Sequence, residues 1–216
     1  MQVGKRHPLL VFKTRYRKNR GLYIFTALMS FGLYAALWLL PTSTWLNTPW
    51  LLDVDWLFLL LGIVALGGAI FRWVAGRIPY VQCSERNVKI QTPLYPIVLS
   101  YKRIHETRPN TLFYLFGNAK LSRGDRGIVL GDKVGGQTAL VVDMVSWPMS
   151  RRWMKFWMSR LMFTADNQAL VFWVEDWMTL NRELSDFKDR WRERQRRMRE
   201  ERPTTSVANQ LMRKKR

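Results

Sequence analysis

The sequence predicts an α+β membrane protein. A hairpin of two transmembrane helices near the N-terminus is followed by about seven short β-strands and one long C-terminal helix. Three observations predict it. Two apolar runs of hydrocarbon length lie close together, an uncharged one at 21–40 and one at 51–74 whose centre, 56–71, is uncharged. From residue 78 the pattern changes to short β-prone runs, some alternating with period two. The last apolar stripe, Trp177, Leu180, Leu184, Phe187 and Trp191, steps by 3, 4, 3 and 4, which is one packing face of a helix.

Composition agrees. Hydrophobic residues make up 48% of the 216, yet Lys+Arg outnumber Asp+Glu by 35 to 16. The two facts conflict for one soluble core and agree for a membrane protein with basic cytoplasmic parts. Eleven tryptophans point the same way, since Trp concentrates where apolar and polar phases meet. Cys83 is the one cysteine, so no intrachain disulfide can form, which fits a reducing cytoplasm.

Residues 1–20 form a basic cytoplasmic segment with Lys5, Arg6, Lys13, Arg15, Arg17, Lys18 and Arg20 and no acid. The apolar run after it is longer than a signal-peptide core and has no small-x-small cleavage site behind it, so it is expected to stay as an anchor. The region 21–75 is the hairpin, with spans at about 21–40 and 51–74. Twenty helical residues rise ~30 Å, the thickness of a hydrocarbon core. Gly62, Gly67 and Gly68 in the second span would let the helices approach closely. The competing reading is a pair of buried helices in a soluble protein. Two such runs, rimmed by Trp38, Trp45, Trp50, Trp56 and Trp73, weigh against it.

Orientation follows from the basic residues. Seven precede the first span, none lies in the loop 41–50, and Arg72 and Arg77 follow the second. The positive-inside rule therefore places both termini in the cytoplasm of a cell with an inner (plasma) membrane crossed twice.

Residues 78–202 read as a cytoplasmic domain. Strands are expected at 78–83, 87–92, 97–103, 127–130 and 138–144, and a hairpin at 160–164 and 169–174. Residues 112–116 read as a short apolar helix or turn. The helix of about 176–202 should project its basic end, 192–202, into solvent. Pro203 stops it, and 203–216 read as a disordered basic tail.

This order of elements resembles the bacterial pleckstrin-homology-like proteins, small membrane-anchored domains. The likeness is closest in YVQCSERNVKIQTPLYPIVLSYKRIHETRP, residues 80–109, where a strand hairpin leaves a membrane helix and a third strand ends in Arg103-Ile104. The ending, 160–191, suits the same fold. The resemblance implies a bent barrel or sandwich plugged at one end by the C-terminal helix. It covers roughly 78–191, through hydrophobic pattern and element order. The glycine-rich segment 117–137 departs from that pattern. Eukaryotic pleckstrin-homology domains that bind phosphoinositides use a basic loop between the first two strands, which the turn Ser84-Glu85-Arg86 does not resemble, and that ligand is not carried over.

No catalytic constellation is present, and an enzyme is not expected. His7 and His105 sit in no metal-ligand spacing, no GxSxG occurs, and the glycines of 117–136 match no phosphate loop, so no cofactor or metal is expected either. Cys83 falls in a predicted strand, where a structural thiol is the default reading. Residues 151–161, RRWMKFWMSRL, are more informative. On a helical wheel Trp153, Met154, Trp157, Met158 and Leu161 share one face, and Arg151, Arg152, Lys155 and Ser159 the other. Such a helix can lie in an anionic membrane surface, with Arg151, Arg152, Trp153, Lys155 and Trp157 as the contacts, or it can pack its apolar face on the barrel. Both readings stay open at this level.

Two functions are expected. The first is a membrane-anchored interaction module that scaffolds or regulates a membrane complex, with an unidentified membrane or cytoplasmic protein or a second copy of the chain as partner. The second is an anionic-lipid module using 151–161 and the basic C-terminal helix. A formal charge of +19 would also suit nucleic acid, but no nucleic-acid motif accompanies it and topology already accounts for much of it.

Overall fold

The computed structural model describes residues 3–39, 55–129, 131, 134–164, 166 and 168–200. The expected outer loop 41–50, the entrance to the second span with Asp53, and the tail 203–216 lie outside the described residues. The chain divides into two compact units: Leu10–Pro79, and Met1–Leu9 together with Tyr80–Arg216.

In the first unit, helices α1 (Leu10–Lys18) and α2 (Arg20–Leu39) precede α3 (Asp55–Ala75). α2 and α3 run antiparallel, because Gly62 meets Phe31 while Gly68 meets Tyr23. The seam is made of small residues: Ala27 and Ser30 on α2 and Ala65 and Ala69 on α3 are buried. Large apolar side chains such as Leu22, Phe25, Leu28, Leu60, Ile63 and Val64 point away from the seam and are exposed. Both helical stretches, Leu10–Leu39 and Trp56–Ala75, are long and apolar enough to cross a membrane. Only 11% and 17% of their most apolar windows are buried, the reverse of a soluble core helix.

The second unit carries two antiparallel sheets. The first has the order β1 (Val3–Pro8), β2 (Tyr80–Ser84), β3 (Asn87–Gln91), β4 (Pro96–Ser100). The second has the order β5 (Ile104–Thr111), β6 (Thr138–Met144), β7 (Ala169–Phe172). β2 and β3 alternate buried and half-buried positions, so Val81, Cys83, Val88 and Ile90 face the core. Tyr101 begins a 3-10 turn that ends the expected third strand early, and its hydroxyl donates to the Ser84 carbonyl at 2.7 Å. Asp176 caps α7 (Trp177–Glu200): its Oδ1 accepts from the Thr179 N–H at 3.0 Å.

The fold is therefore α+β with seven described strands, but two of them are not those expected. β1 comes from the basic N-terminal segment, where no strand was expected. It pairs with β2 through Arg6↔Gln82, His7↔Val81 and Pro8↔Tyr80. β5 pairs along its length with β6. Two expected strands are replaced. Residues 127–129 belong to helix α5 (Arg123–Val129), because Ser122 Oγ accepts from the Asp125 N–H at 3.1 Å and caps a helix start. Residues 160–162 form a 3-10 turn begun by Ser159, whose side chain accepts from the Leu161 N–H, and only Phe163 bridges to β7, at Leu170. Residues 112–116 are helical, as α4 (Leu112–Phe116).

Candidate functional site

The segment singled out in the sequence forms helix α6 (Arg151–Trp157) and then straightens at Met158, whose φ of −101° and ψ of 152° are extended. This break divides the wheel's apolar face. Met154, Met158 and Leu161 are buried in the domain, and Trp157 is half-buried. Trp153 is 49% exposed and the neighbouring Phe156, which the wheel assigned to neither face, is 74% exposed. The helix thus packs through Met154 and keeps two aromatic rings outside.

Those rings belong to a connected set. Trp153 stacks with Phe156 at 6.1 Å, Trp157 meets both at 5.6 and 4.9 Å, and Tyr95 from the β3–β4 turn meets Trp157 at 5.6 Å. Arg151, Arg152 and Lys155 are exposed on the same short helix, and Arg151 lies 5.5 Å from the Trp147 ring. No acidic residue occurs between Met144 and Thr164. The helix thus presents exposed aromatic rings bordered by three cations.

The C-terminal helix packs as its stripe requires in the middle and less so at the ends. Leu180, Leu184 and Phe187 are buried, while Trp177 and Trp191 are half-buried. The expected solvated extension is not wholly free. Arg194 turns back to the β2–β3 turn, where its Nη2 donates to the Glu85 carbonyl at 3.0 Å and its Nη1 lies 3.7 Å from the Glu85 carboxylate. Lys102, Arg192, Arg196 and Arg199 border a shallow groove beside Trp191.

A buried polar cluster lies under α7, and sequence reasoning missed it. Glu183 Oε1 accepts from the Lys5 N–H at 3.3 Å, and Oε2 lies 3.4 Å from Nε2 of the buried His7. Cys83 and Tyr101 share this region. Burial pushes the Cys83 thiol up to about 12, the Glu183 carboxylate adds in the same direction, and a hydrogen bond with Tyr101 opposes it. Burial likewise raises the Tyr101 hydroxyl. A thiol so protonated and enclosed is structural. The sequence signal was the spacing of Glu183 one residue before Leu184, on the margin of the buried stripe.

Among the described residues no group of three or more His, Cys, Asp and Glu side chains could hold a metal ion. Comparison of the chain with protein-family models, with curated proteins and with solved structures returned no match.

Proposed function

We propose that this chain is a membrane-anchored module whose domain works against the anionic surface of the cytoplasmic leaflet, with α6 as the contact. The observation that carries the reading is the outward pair Trp153 and Phe156 beside Arg151, Arg152 and Lys155. Aromatic rings insert at the headgroup level while cations meet lipid phosphates, each contributing ~1 kcal/mol. The anchor is the antiparallel pair α2 and α3. Its outward Leu, Ile, Val and Phe side chains suit lipid, and its basic flank argues for termini in the cytoplasm. Seven strands in sheets of four and three, followed by a closing helix, support a pleckstrin-homology-like reading of the domain.

The test uses the full chain in nanodiscs. Trp153→Cys, labelled with an environment-sensitive dye, should be quenched by brominated lipid when the bilayer contains phosphatidylglycerol and much less when it is all phosphatidylcholine. Equal, weak quenching in both would overturn the proposal. The anchor has its own test: release of the protein by carbonate without detergent would remove it.

Scaffolding of a membrane complex is the second reading. It is favoured by β4, which ends the order of the first sheet and carries an outward Val98 that is 50% exposed, with Leu94 in the preceding turn at 65%. A protein that co-purifies with the full chain in mild detergent and is lost on Val98→Lys would support it.

A further inference from the structure

The hairpin unit holds a second cationic site, apart from α6. Lys13 and Arg17 on α1, Arg20 at the start of α2, Arg72 in the last turn of α3 and Arg77 just after it line one cleft of about 210 Å³. Tyr16, Trp73 and Gly76 complete it. The charge at this end of the unit is unbalanced: its acids, Asp53 and Asp55, come at or before the start of α3, and neither 10–39 nor 56–79 contains one. Five cations converging without an anion repel one another unless one is supplied.

The cleft is also built rather than merely charged. The Arg72 guanidinium lies 5.4 Å from the Tyr16 ring and 5.2 Å from the Tyr23 ring, and its Nη2 donates to the Arg15 carbonyl at 3.4 Å. Its Nε is buried without a hydrogen-bond partner among the described residues. Arg77 lies 4.3 Å from the Trp73 ring. Tyr16 in turn meets Phe71 edge-on at 6.5 Å. Two arginines are therefore held in place on aromatic faces before any ligand arrives, and Gly76 lies close to Lys13 and Tyr16. Fixed guanidinium groups match a phosphate, which takes parallel N–H donors from one fork.

We infer that this cleft binds the phosphate of one acidic phospholipid headgroup. The inference rests on the reading that α2 and α3 lie in lipid. It follows from position as well as charge: the cationic end of two apolar helices is the depth at which headgroup phosphates lie, and basic pockets between spanning helices take such headgroups. The lipid would then act as a fixed counterion for the hairpin, with its acyl chains along the exposed apolar side chains of α2 and α3.

The experiment is native mass spectrometry of the full chain in mild detergent, incubated separately with phosphatidylglycerol, phosphatidylcholine and inorganic phosphate. One phosphatidylglycerol per chain should be retained, about tenfold or more in preference to phosphatidylcholine. Arg72→Gln with Arg77→Gln should lower retention by a similar factor. Arg17→Gln with Arg20→Gln should do the same while leaving Arg72 on its tyrosines, so it decides the matter if the first variant does not fold. Lys120→Gln with Arg123→Gln, both exposed and away from the cleft and from α6, should change nothing. Unaltered retention in the Arg17/Arg20 variant, or equal retention of both lipids, overturns the site. Displacement of the lipid by inorganic phosphate assigns the cleft to a soluble anion and overturns the lipid assignment. A protein that resists carbonate yet shows no lipid selectivity loses only this site. One that carbonate releases loses the anchor as well.

Discussion

Glu183 Oε2 lies 3.4 Å from His7 Nε2, joining the C-terminal helix to the first strand of the domain across 176 positions of chain. The imidazole is 2% exposed. Gly4 sits beneath the same carboxylate, and a methyl group there would stand 2.5 Å from Oε2. The first strand is thus held by a carboxylate over its backbone as well as by its ladder to β2. A double-mutant cycle of His7→Leu and Glu183→Leu should give a coupling of about 0.5–3 kcal/mol, because buried neighbours sharing partners are not additive. Chemical unfolding of the detergent-solubilised chain measures it, and additive effects would show the two residues to be merely adjacent.

Cys83 gives a prediction with a defined pH window. Its thiol is pushed up to about 12 mainly by burial. The native state therefore keeps a proton that the unfolded state releases in the usual thiol range. The stability this contributes is fully present below that range and is lost progressively as pH rises toward 12. The domain should be more easily unfolded by urea with each step into the alkaline range, and Cys83→Ala should flatten that dependence. At pH near neutral, maleimide should label Cys83 only after denaturation. Rapid labelling of the native chain would contradict its enclosure.

The hairpin seam separates two neighbouring glycines. A Cβ on Gly62 would come within 2.9–3.0 Å of the Phe31 ring, whereas one on Gly67 meets nothing within 4 Å. Gly62→Ala should cost about 1–3 kcal/mol through overpacking. Gly67→Ala should be neutral or up to about 1 kcal/mol more stable, from helix propensity alone. Thermal unfolding of the two variants in detergent distinguishes them. Equal effects would mean that α2 and α3 do not meet at Phe31.

How far the sequence carries depends on which signals agree. β2, β3, β4 and β6 have alternating or continuous apolar runs bounded by turn residues, and α7 has both a cap and a stripe, so position and type were legible. β1 and β5 were not, because VGKRHP and IHETRPNT each bury a single residue, His7 and Ile104. Such strands lie at sheet edges, where Pro109 is tolerated and the ladder rather than burial defines the element. Around 127–130 the Ile-Val pair suggested a strand, but the cap at Ser122–Asp125 lies upstream and decides for helix. In the candidate site the cations and Trp153 were legible from the wheel. Phe156 was not, since the wheel assumes a helix through Leu161, whereas the chain leaves the helix after Trp157.

That early exit bears on the last prediction. Had α6 continued, Trp153 and Trp157 would have shared one buried face and the basic face alone would have met solvent. Instead Met154 anchors the helix, and Trp153 and Phe156 stand outside with Arg151, Arg152 and Lys155. Removing the rings and removing the charges should then have different signatures. Arg151→Gln, Arg152→Gln and Lys155→Gln together should weaken the contact of labelled residue 153 with anionic bilayers by about 3 kcal/mol at low salt. The loss should shrink as salt screens the surface. Trp153→Ala with Phe156→Ala should reduce the contact, read from a dye attached at position 152 through Arg152→Cys, by an amount that salt changes little, because the transfer of apolar area is not screened. Both variants should unfold at the wild-type temperature, since none of the five side chains is buried. A fall in that temperature would instead place these residues in the packing of the domain, and the contact with lipid would lose its support.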